Sequence, residues 1–148
     1  MASGHTFTLA DVQACRTHFA TQIATYRDLI AAASKASGAS LTRVDAALAA
    51  FEPGYFNTLL VALNARFVRH ASDTRAALGE VRLLVDSMLA NGGVMTVSDT
   101  AGYEPANTVL GIDAGDRIAL NAEDFEAICA AFLAALEDSL ATSAFPTA

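Results

Sequence analysis

Tryptophan is missing from this 148-residue chain, proline occurs three times, cysteine twice and lysine once, at Lys35. Two cysteines as far apart as Cys15 and Cys129 do not make a disulfide framework. Both are expected as buried free thiols, which suits a reducing cytosol. Basic residues are scarce and the formal charge is −7. The deficit is lopsided, with a net +1 over residues 1–74 and −8 over residues 75–148. Phosphate neutralisation supplies most of the affinity of nucleic-acid binders, so a chain without a broad basic footprint is not expected to bind nucleic acid. The run Ile128–Leu136 is apolar and uncharged but far short of the roughly 20 residues of a membrane span. Met1–Thr6 has neither the positive nor the apolar region of a signal peptide. A soluble, cytoplasmic protein with no membrane partner is expected.

Catalytic and cofactor motifs are missing too. No serine sits in a G-x-S-x-G elbow, and no glycines form G-x-G-x-x-G or a Walker A loop. The carboxylates of residues 94–124 do not match a calcium loop. Cys15 and His18 are neighbours on one helix, but no second Cys/His pair completes a zinc site, so no metal and no cofactor are expected.

What the chain does have is apolar residues, 53% of the total, with alanine about a fifth of all positions. Alanine favours helix. The length suits one domain, 1–148, with four helices over 8–90, a β-containing arm over 94–120 and a last helix over 122–141. The first helix opens at Thr8, with Asp11 at capping-box spacing, and carries the stripe Val12, Cys15, Phe19, Ile23, Tyr26 and Ile30. It is expected to stop at Ser37-Gly38. A short helix over 41–51 is expected to break at Glu52-Pro53-Gly54, because proline restricts the residue before it. A third helix over 55–70 and a fourth over 74–90 follow, the latter ended by Asn91-Gly92-Gly93. Val109–Leu120 reads as a β-hairpin that Val94–Val97 can join as a third strand, with Leu110, Ile112, Ile118 and Leu120 turned inward. Asn121 caps the last helix. The fold expected is thus mainly α, a bundle of about five helices with a small β-hairpin arm before the C-terminal helix.

Between Ala127 and Leu136 the last helix has no charged residue, and a helix apolar all round is buried all round. That predicts a covering second chain, and so a non-enzymatic helical interaction protein acting as a homodimer through Phe125, Ile128, Phe132 and Leu136. A small-ligand protein or enzyme is the alternative, with a pocket between bundle and arm offering Asn91, Tyr103, Glu104 and Arg117. A weaker alternative is a DNA-binding regulator using Arg66, Arg69, Arg75 and Arg82 around the turn before the fourth helix. Arg82 and Asp86, four apart, suit an ordinary solvated face instead.

Overall fold

The computed structural model describes residues 7–35, 40–67, 76–97 and 102–144. Among them are four α-helices: α1 Leu9–Ser34, α2 Ser40–Arg66, α3 Ala76–Ala90 and α4 Ala122–Ala144. The chain is mainly α, as its alanine content and periodicity predict.

The helix starts follow local chemistry. Thr8 accepts from the Asp11 backbone N–H, and Asp11 accepts in return from the Thr8 backbone, at 2.7 Å. Asn121 and Asp124 make the same reciprocal pair at the start of α4. α3 ends at Ala90, where Gly92 and Gly93 adopt positive φ of 61° and 83°. The expected stop of α1 at Ser37-Gly38 and the expected start of the fourth helix at 74 lie outside the described residues.

The five-helix count is corrected to four, because the second and third expected helices are one. Pro53 lies inside α2. An interior proline costs about 3 kcal/mol by deleting one backbone bond and crowding the carbonyl four residues back. Here that carbonyl belongs to solvent-exposed Ala49, so water can satisfy it. Contacts on both sides carry the helix through. The Phe51 and Tyr55 rings stack across the proline with centroids 5.2 Å apart. Glu52 accepts from the Ala122 backbone N–H at the start of α4, and Phe56 is fully buried.

The core lies where α1, α2, α3 and α4 meet. Phe19, Phe56 and Phe125 stand at its centre, with Leu60, Leu63, Val81, Leu84, Ile128 and Leu133 around them. Burying side chains of this size contributes about 1.5–3 kcal/mol each.

The arm does not form the expected β-hairpin, and no strand occurs among the described residues. Val94 and Arg117 form one isolated antiparallel bridge. Pro105–Asn107 is a single 3₁₀ turn. The segment 109–112, expected as one strand, pairs with no other strand because its donors are already taken by side chains. Glu80 of α3 accepts from the backbone N–H groups of Val109 and Leu110 at 2.8 and 2.9 Å. Thr108 Oγ1 accepts from Gly111. On α2, Asn57 donates to the Ile118 carbonyl at 2.8 Å and accepts from the Leu120 N–H at 3.2 Å. On α3, Ser87 accepts from the Thr96 N–H and donates to the Thr96 carbonyl. Helix side chains thus hold 109, 110 and 120, while backbone bonds of 2.8 Å tie the second half of the arm to residues 93–95: Met95 N–H donates to the Asp116 carbonyl, Gly115 N–H to the Met95 carbonyl and Ile118 N–H to the Gly93 carbonyl. Ile118 and Leu120 are buried as expected, while Leu110 and Ile112 pack at the margin of the core.

Asn57 holds two arm groups at once. Asn57→Ala is therefore expected to lower stability by about 2 kcal/mol, the cost of leaving part-buried backbone groups without partners. Urea denaturation checks this; a midpoint unchanged from the native chain contradicts the clamp.

Candidate functional site

The expected ligand residues do not converge. Asn91 donates to the Val94 carbonyl and to Thr96 Oγ1, closing its own turn. The Tyr103 hydroxyl donates to the Ile112 carbonyl at 2.7 Å, and Glu104 accepts from the Asn107 side chain. Burial raises the Tyr103 pKa, while the Thr108 hydroxyl works against that rise. Arg117 stands beside a shallow hollow of about 290 Å³ between Gly92, Gly93, Asn57 and Met88, within reach of the Gly92 carbonyl. Asn91, Tyr103 and Glu104 do not line that hollow. Three of the four side chains are spent on shaping the arm. Among the described residues, no three His, Cys, Asp or Glu side chains stand together as a possible metal site.

The expected interface residues face the core. Phe125, Ile128, Phe132 and Leu136 are all buried inside a single chain. Phe125 lies 5.5 Å from Phe19 and 5.7 Å from Phe56, ring to ring, and Phe132 lies 6.0 Å from Phe67. Nor is α4 dry all round, since Ala127, Ala130 and Ala134 face solvent. Alanine is compatible with core and surface alike, which is why the alanine-rich run gave no sign of this wet side.

Of the expected arginine cluster, Arg69 and Arg75 lie outside the described residues. Arg82 pairs with Asp86 at 4.0 Å. Arg66 is exposed on α2, stands 6.0 Å from the centre of the Phe19 ring and opposes the rise in the Cys15 pKa that burial causes.

A concavity that the sequence did not single out is a groove of about 430 Å³ between α1 and α4. That volume is in the range of small-molecule sites and of seats for a side-chain ridge. Phe19, Ile23, Cys129 and Leu133 form its floor, and Ala20, Ala24 and Ala130 its edges. An ion pair bridges it at each end. Arg16 meets Glu137 at 2.5 Å, and Arg27 meets Glu126 at 2.6 Å. Gln13 adds a 3.0 Å bond to Glu137. These pairs are one-third to one-half exposed, so within one chain each contributes about 0–1 kcal/mol. They also show that α1 and α4 run antiparallel, with position 16 level with 137 and 27 level with 126.

The signal for this groove was present in the sequence. Arg16, Ala20, Ala24 and Arg27 recur at helical spacing, as do Glu126, Ala130, Leu133 and Glu137. What the sequence could not show is that the two stripes lie side by side.

A second exposed apolar region lies on the outer side of α1 and α2. Phe51 and Leu29 are about half exposed there. Phe51 stacks on Tyr55, which stacks on Tyr26 at 6.0 Å and donates to Gln22. Among the described residues, one helix, Thr42–Arg66, is long and apolar enough to cross a membrane by length and composition. Its C-terminal half supplies Phe56, Leu60 and Leu63 to the core.

Burial pushes the Cys129 thiol from its ordinary 9.0 up to about 12, with nearby Cys15 adding to the rise and Arg16 opposing it. Burial also raises Cys15 and, with the Glu52 carboxylate, holds the Tyr26 hydroxyl at about 12. Folding therefore favours the neutral form of all three groups. The resulting stability is complete below about pH 9 and is lost as the pH rises towards 12, because the unfolded chain ionises first. Urea midpoints taken from pH 8 to 11 are expected to fall steadily. At pH 8, neither thiol is expected to react with a disulfide reagent until denaturant is added. Rapid labelling of a native thiol contradicts this.

Comparison of the chain with known protein families, with characterised proteins and with solved structures finds no match.

Proposed function

We propose that this protein works by helix-mediated association rather than catalysis, and that its partner is a second copy of itself. The observation that carries the reading is the α1–α4 groove. It is apolar along its floor, edged by alanines that permit close helix approach, and walled by arginine on α1 and glutamate on α4. A symmetric pair presents the same patch twice, so the patch must complement itself, and a surface with one basic and one acidic wall can do so. The reason first apparent in the sequence, a last helix with no wet side, does not support the proposal. The groove does.

The polar residues of the arm favour this reading over a ligand pocket there, because Asn91, Tyr103 and Glu104 are spent on neighbouring groups of the arm. Light scattering on a sizing column decides the question. The expected mass is twice the 15.3 kDa of one chain. A mass of one chain at the highest soluble concentration overturns the proposal.

A further inference from the structure

Resting on that reading, we infer that the two copies are related by a two-fold axis running along the α1–α4 groove, so that Arg27 and Arg16 of each copy face Glu126 and Glu137 of the other.

The inference follows from the levels of the four charges. Arg16 and Arg27 are eleven residues apart on α1, and Glu126 and Glu137 are eleven apart on α4. Both separations are about three helical turns, or roughly 16 Å. The intrachain pairs put the two sets at the same heights. A two-fold rotation about the groove axis keeps every height and exchanges left for right. It lays α1 of the partner over α4 and α4 of the partner over α1. Each arginine then stands at the level of a glutamate across the interface, and each ion pair becomes one side of an alternating four-charge square.

The other two-fold axis that brings these faces together with the helices of the two copies aligned lies across the groove. It reverses heights and lays α1 on α1 and α4 on α4. Arg16 then meets Arg27 of the partner, and Glu126 meets Glu137. Like charges held face to face oppose association, so the charges choose the axis along the groove. Asp28, which also lines the α1 wall, is the one acidic group on the basic side and does not reverse this preference. The groove edges permit the approach, because Ala20, Ala24 and Ala130 let two helix layers come close without moving bulky side chains.

The charge pattern gives a test that separates this geometry from dimer formation as such. Arg27→Glu alone puts four carboxylates at one end of the dimer, and Glu126→Arg alone puts four cations there. Each variant by itself is expected to dimerise at least about tenfold more weakly than the native chain. An equimolar mixture is expected to recover pairing between unlike chains to near the native level, because each glutamate introduced at 27 then faces the arginine introduced at 126. Both positions are exposed, and circular dichroism with melting confirms that each variant folds. If the native chain dimerises but the mixture pairs no better than the separate variants, this axis is wrong while the proposal of a homodimer stands. The same holds if the single variants dimerise as the native chain does. If the native chain is itself a monomer, both ideas fall together.

Discussion

Phe125→Ala is expected to lower the stability of this protein by about 4 kcal/mol. The ring is fully buried and lies between Phe19 of α1 and Phe56 of α2, at 5.5 and 5.7 Å. It therefore joins three of the four helices at one point. Removing it takes away the transfer free energy of the ring and leaves a cavity that the neighbouring rings fill only in part. Domains of this size hold about 5–15 kcal/mol in total, so a substantial share is lost. With about 2–4 °C of melting temperature per kcal/mol, the midpoint should drop by roughly 8–16 °C. Phe125→Leu keeps much of the volume and should cost less than half as much. Urea titration of the three chains checks the series. A loss under about 1 kcal/mol for alanine means that the ring is not where the core is densest.

The second large effect is expected at Glu80. Its side chain is almost fully buried, and its two oxygens accept from the backbone N–H groups of Val109 and Leu110. Glu80→Ala leaves both donors part-buried and without an acceptor, a cost of about 3 kcal/mol. Glu80→Gln keeps the shape and one good acceptor but turns an amide NH2 towards a donor, so about half that loss is expected. A second measurement separates arm from bundle. Hydrogen exchange at the amides of 109 and 110 is expected to be slow in the native chain, fast at both in the alanine variant and fast at one of them in the glutamine variant, while the amides of α1 and α4 keep their protection. Equal exchange at 109 and 110 in native and variant chains rules out the clamp.

How much of this was legible beforehand depends on the reach of each interaction in sequence. The stripe of α1, its capping box at Thr8 and Asp11, the stop at Gly92-Gly93 and the Asn121 cap all join residues a few positions apart. Such patterns are visible in a string of letters. The break expected at Pro53 was the wrong local inference, because it weighed proline's restriction of the residue before it and not the Phe51–Tyr55 stack, the Glu52 bond to Ala122 or the burial of Phe56. The hairpin expected over Val109–Leu120 failed for a similar reason. Its alternation of apolar residues was real, and Ile118 and Leu120 are indeed buried, but the donors of Val109, Leu110 and Leu120 are claimed by Glu80 and Asn57 from 29 to 63 positions away, and those of Gly115 and Ile118 by the carbonyls of Met95 and Gly93.

The candidate site was less legible still. Arg16, Ala20, Ala24 and Arg27 look like an ordinary solvated face until α4 is placed beside them with Glu137 and Glu126 at matching heights. In the same way, the apolar run of α4 names helix but not side: Phe125, Ile128 and Phe132 point inward, whereas Ala127, Ala130 and Ala134 point out.

The amino-acid sequence alone determined a mainly helical chain, the helix starts at Thr8 and Asn121, the stop at Gly92-Gly93 and the stripes that make the core, because those follow from propensity and from neighbours within one turn. The continuous second helix, the clamped arm without a ladder and the groove between the first and last helices were decided by tertiary structure, since each depends on side chains distant in sequence meeting at short range, and no local pattern encodes such a meeting.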